Sequence, residues 1–104
     1  FANLSLAGLF YFRDRDEKRA SFYLEKIDDS SFAAASKYAL SGNMVRDQKR
    51  NEEAIAAYRK ALSINSGLIT PRKRLISILE ETDREQARRE LKKLRYISSF
   101  YNVL

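Results

Sequence analysis

The stretch NEEAIAAYRKALSIN, residues 51–65, decides the fold. Its positions Ala54, Tyr58 and Ala61 follow at intervals of four and three. That spacing stacks them along one side of an α-helix. Two of the three are alanines, small enough for a second helix to cross closely. Tyr58 is large and fills space between neighbouring elements.

The same residues have counterparts upstream. Ala20, Leu24 and Ile27 precede Ala54, Tyr58 and Ala61 by 34 positions each. Gly8 precedes Gly42, and Tyr11 precedes Val45, by the same interval. A generic helical bundle shows apolar stripes within each helix but needs no such register. Two antiparallel helices with two short loops use about 34 residues. The period therefore predicts a row of helical hairpins. Gly8 is expected to meet Ala20 across one hairpin, and Gly42 to meet Ala54 across the next.

Working outward, helices are expected over residues 2–12, 17–28, 32–47, 52–64, about 70–81 and about 84–97. Asp14 and Asp16 stand at the first break, and Asn51 caps the fourth helix. Thr70 before Pro71 reads as a helix start, with proline at the first helical position. Thr82 and Glu85 have the spacing of a capping box. In the sixth helix Ala87, Leu91, Leu94 and Ile97 form an apolar stripe.

These residues resemble the tetratricopeptide (TPR) repeat. The second helix of that repeat wants a small residue, an aromatic four later and a small residue three later, as in Ala54, Tyr58 and Ala61. The first helix wants a large residue, glycine four later and a large residue three later. Tyr38, Gly42 and Val45 fit, and so do Leu4, Gly8 and Tyr11. The resemblance covers three units, about 1–34, 35–68 and 69–97. In the third, Ile76 replaces the glycine and Ala87 arrives one residue early, so the loop at Thr82–Asp83 must be shorter. Phe32 and Ser66 stand where the family has a helix-ending proline. The resemblance implies an all-α, right-handed solenoid of three helix-turn-helix hairpins forming one domain. Residues 98–104, with Phe100, Tyr101, Val103 and Leu104, would cap the open end or dock on a neighbouring chain. The chain begins with Phe1, and it reads as a fragment of a longer protein.

Composition narrows the function classes. Hydrophobic residues make up 44% of the 104 residues, enough for a core. Cysteine and histidine are absent, which removes disulfides, thiol nucleophiles, the usual zinc ligands and the usual neutral-pH base. No apolar run reaches the roughly 20 residues of a membrane span, and no signal segment is visible. Cytosol and periplasm are both compatible with this chain. Glu52 with Glu53, and Glu80 with Glu81, point different ways along a helix and make poor acid–base pairs. No glycine-rich phosphate loop or metal-ligand motif is present. The expectation is a binding module without enzymatic activity, cofactor or metal.

The resemblance places the groove on the first helix of each unit. Carried over, the groove positions are Ala2, Ser5, Leu9, Phe12 and Arg13, then Ser36, Ala39, Asn43, Arg46 and Asp47, then Thr70, Lys73, Ser77, Glu80 and Glu81. Ser5, Leu9, Phe12, Arg13, Asn43, Arg46, Lys73 and Ser77 are the candidate partner-binding residues. Leu9 and Phe12 are apolar where water is expected, which suggests a partner or a preceding repeat. The positions that clamp a C-terminal carboxylate in some relatives hold Ser5, Leu9, Leu40, Thr70 and Arg74. Only Arg74 matches, so that activity is not expected.

The net charge of +6 is uneven. Residues 1–34 carry −1, residues 35–68 carry +3 and residues 69–104 carry +4. Arg84, Arg88, Arg89, Lys92, Lys93 and Arg95 gather in the last helix. That face is the alternative, anion-binding candidate, for RNA, an acidic polysaccharide or a membrane surface. A protein or peptide partner is the leading expectation, and nucleic acid is disfavoured because the basic helix lies far from Phe12. Self-association through the terminal repeat is also compatible.

Overall fold

The computed structural model describes residues 2–103, with side chains through residue 97. The described residues form α1 (Ala2–Phe12), α2 (Glu17–Glu25), α3 (Ala34–Asp47), α4 (Asn51–Ile64), α5 (Ile69–Thr82) and α6 (Arg84–Val103). Helix α1 packs on α2, α3 on α4 and α5 on α6. Helix α3 also touches both α1 and α2, and α5 rests on α4. The chain is thus a small array of adjacent helical hairpins. No helix among the described residues is long and apolar enough to cross a membrane.

The repeat register reappears in the backbone. Arg15 (φ 53°) and Lys49 (φ 60°) are the non-glycine residues with left-handed backbone, and they are 34 positions apart. Each follows the first helix of its hairpin, where a left-handed residue ends a helix and turns the chain. After the first, the Asp16 amide reaches back to the Phe10 carbonyl at 2.9 Å. The second helices begin alike: the amides of Ala20, Ala54 and Ala87 donate to the carbonyls of Asp16, Arg50 and Asp83, each at 3.0 Å. The last step is one residue short, as the early Ala87 requires. Asp83 alone separates α5 from α6, so no left-handed residue is needed there.

One helix start is as expected, and several other helix ends differ. Asp16 caps α2, its carboxylate accepting from the Arg19 amide at 3.0 Å. Asn51 is already helical and Arg50 precedes it without a side-chain cap. Helix α5 starts at Ile69, so Thr70 and Pro71 both lie in its first turn. Proline fits there because first-turn amides have no partner within the helix. Thr82 closes α5, its hydroxyl donating to the Ile78 carbonyl at 3.1 Å. Asp83 does the capping, accepting from the Gln86 amide at 3.2 Å and from the Gln86 side chain at 2.7 Å. Helix α2 stops at Glu25, and α3 begins at Ala34, after a turn in which Ser31 accepts from the Ala33 amide. Helix α6 continues beyond residue 97 to Val103. The proposed capping side chains of residues 98–104 lie outside those described.

Ala7, Ala20, Ala34, Ala54, Tyr58, Ala61 and Leu75 are fully buried and mark the hairpin seams. Burying a side chain such as Leu75 stabilises the fold by about 2 kcal/mol. The glycines behave differently from the simple crossing expected. A methyl on Gly42 would lie 2.7 Å from the Tyr58 ring, so Gly42 makes room for that ring and not for Ala54. A methyl on Gly8 would meet only the Phe12 ring, at 4.0 Å. Between the first two hairpins, Tyr11 donates its hydroxyl to Asp47, and Arg15 lies 3.5 Å from the same carboxylate. In the third, the buried Arg72 and Glu90 form an ion pair, and Arg72 also donates to the Ser66 carbonyl at 2.9 Å.

Candidate functional site

A cleft of about 340 Å³ runs across the first helices of all three hairpins. Helix α1 supplies Leu4, Gly8 and Phe12, and α3 supplies Ser36, Ala39, Leu40 and Asn43. Thr70, Pro71 and Arg74 come from α5, and Leu68 from the loop before it. The open space over Gly8 belongs to this cleft. Phe12 stands at its edge, 63% exposed. The walls are mostly apolar, and the polar groups gather near Asn43 and Arg74.

Tyr58 organises that polar corner. Its ring is buried against Gly42, and its hydroxyl donates to Asn43 Oδ1 at 2.5 Å. Burial pushes the Tyr58 phenol up, against the pull of the Arg46 and Arg74 guanidinium groups. The phenol therefore stays protonated at neutral pH and keeps Asn43 in place. Neither Arg46 nor Arg74 has a carboxylate partner among the described residues, whereas Arg13, Arg15, Arg19, Arg50, Arg59, Arg72 and Arg89 each have one. The corner can donate hydrogen bonds to a carbonyl or carboxylate, beside a surface that takes an apolar side chain.

Of the candidate partner-binding residues, Phe12 and Asn43 line the cleft. Ser36, Ala39 and Thr70, from the carried-over groove positions, join them. Arg46 is half-buried near Tyr58 but does not line the cleft. Ser5 and Leu9 are exposed on α1, Lys73 and Ser77 on α5, all outside the lining. Arg13 is exposed and paired with Asp14 at 3.5 Å. Sequence reasoning did not count Leu4, Gly8, Leu40, Leu68, Pro71 and Arg74 among the binding residues. Arg74 carried a signal, as the single match to the carboxylate-clamp pattern. The others read as core or turn residues, and a one-dimensional pattern does not show that a seam stays open.

The basic residues of α6 divide. Arg89, Lys92 and Lys93 line a second hollow, while Arg84 and Arg88 border a third with Ala87 and Leu91. Arg95 is exposed and lines neither. Comparison of the chain with protein-family models, curated proteins and solved structures finds no match.

Proposed function

We propose that the chain is a TPR-type module that holds an extended segment of a partner protein along the face made by α1, α3 and α5. One observation carries this reading: the cleft draws on the first helix of every hairpin and on nothing from the second helices. In TPR proteins that is the concave, ligand-bearing side. The segment would place an apolar side chain against Leu4, Phe12 and Pro71. It would turn a carbonyl or carboxylate toward Arg74 and Asn43. Its affinity would come from a few buried anchors rather than from total area.

Selection of binders from a random peptide library tests the reading. Selected peptides should combine an apolar anchor with an acidic or carbonyl-rich neighbour. Phe12→Ala and Arg74→Glu should each weaken them by about tenfold or more. Peptides whose affinity ignores both changes would remove the cleft from consideration.

A further inference from the structure

A second hollow, larger than the cleft and sharing no lining residue with it, lies against the third hairpin. It holds about 660 Å³, between the start of α5 and the later turns of α6. Arg89, Lys92 and Lys93 edge it, Arg72 reaches its inner wall, and Tyr96 and Ile97 add an apolar side. Among the described residues no acidic one lines it. Its volume falls within the range of small-molecule sites, about 300–1,000 Å³.

The nearby acids neutralise these cations only in part. Glu90 is 5% exposed and is already bound by Arg72. Arg59 and Lys93 share the same carboxylate at 3.6 and 3.5 Å. One negative charge is thus divided among three positive ones. Glu85 pairs with Arg89 at 2.9 Å, on the exposed side of the helix. Lys92 has no carboxylate partner among the described residues. Tyr96 is 76% exposed, an aromatic face beside partly neutralised cations.

This chemistry selects among anions. The lining presents nitrogen donors, with the hydroxyls of Ser66 and Tyr96 as its side-chain acceptors. A phosphate brings only acceptors. Bare phosphate would leave the Tyr96–Ile97 wall unused, whereas a planar base stacks on an exposed tyrosine. The geometry points to a binding site for a phosphorylated nucleoside, with its base on Tyr96 and its phosphates on Arg89, Lys92 and Lys93. The unit comes either as a free nucleotide or as part of a single strand. This site is separate from the α1–α3–α5 cleft and stands or falls independently of it.

Fluorescence anisotropy of the whole chain with a labelled adenosine triphosphate, without divalent metal, tests the site. Binding is expected, weakening steeply with added salt. Lys92→Glu and Tyr96→Ala should each reduce affinity by about tenfold, while Phe12→Ala leaves it unchanged. Both altered residues are exposed, and circular dichroism verifies that the variants fold. An unlabelled uridine oligoribonucleotide competes in a parallel arm. Competition far stronger than that of uridine monophosphate identifies a strand as the source, and equal competition identifies the free nucleotide. The proposal is overturned if the probe does not bind or if both variants bind it as well as the parent. Capture by anionic vesicles without nucleotide binding also overturns it, in favour of a membrane surface.

Discussion

The first two hairpins share a register, yet their glycines do opposite things. In α3–α4, Gly42 gives way to the Tyr58 ring, which is fully buried and holds Asn43. In α1–α2 the residue matching Tyr58 is Leu24, and the space over Gly8 opens into the cleft. The Tyr58 ring thus closes one seam, while Leu24 at the matching position does not reach Gly8. Glycine lets another group come close; what comes close is decided elsewhere in the chain.

The sharpest way to break this contrast is to make the second hairpin like the first. Tyr58→Leu removes the ring and strands the Asn43 amide. The loss should be about 3 kcal/mol, read by denaturant unfolding. A loss no greater than that of an exposed substitution would show that the Gly42 seam is not closed by Tyr58. Gly42→Ala comes next. Its methyl would strike a ring with nowhere to move, costing about 1–3 kcal/mol, less the roughly 1 kcal/mol that alanine gains in a helix. Gly8→Ala should run the other way. It meets nothing closer than Phe12, so stability should rise by up to about 1 kcal/mol. The same methyl narrows the cleft, and selected peptides should bind more weakly although the fold is firmer. Equal thermal shifts for the two glycine variants would abolish the distinction.

Much of this was legible in the sequence. The 34-residue register fixed the hairpin boundaries, and the early Ala87 foretold the single-residue turn at Asp83. Helix ends were less legible. Thr82, Thr70 and Asn51 look like caps, but the neighbouring backbone carries the helix past or before them. The lining of the cleft was legible by helix and not by residue. Phe12 and Asn43 line the cleft, yet Lys73 and Ser77 point elsewhere while Arg74 enters. One position is about 100° of helix rotation, enough to move a side chain off the face. Register shows which helices form the wall, and only packing shows which side chains turn into it.

The link between the two hairpins gives the smallest effect. The Tyr38 hydroxyl donates to Asp29 at 2.7 Å and holds that carboxyl below its usual value; the Ser30 amide does the same for Asp28. Both carboxylates ionise more readily when folded. Their contribution is therefore present above the unfolded pKa and lost as pH falls through the lowered folded values. Both are exposed, so the change should be slight. Amide protection factors, corrected for the intrinsic exchange rate at each pH, should fall around residues 28–38 in acid before those of α4, and a uniform response would argue against a local hinge.

The two glycines also give the most direct test of the groove itself. The chain has three glycines, and their amide resonances are few enough to follow during titration with a selected peptide. The expected result is a large shift at Gly8 and at the Arg74 side chain, with Gly42 nearly still beneath Tyr58. A silent Gly8, with shifts gathered at Arg89 and Lys92 on α6, would contradict the groove.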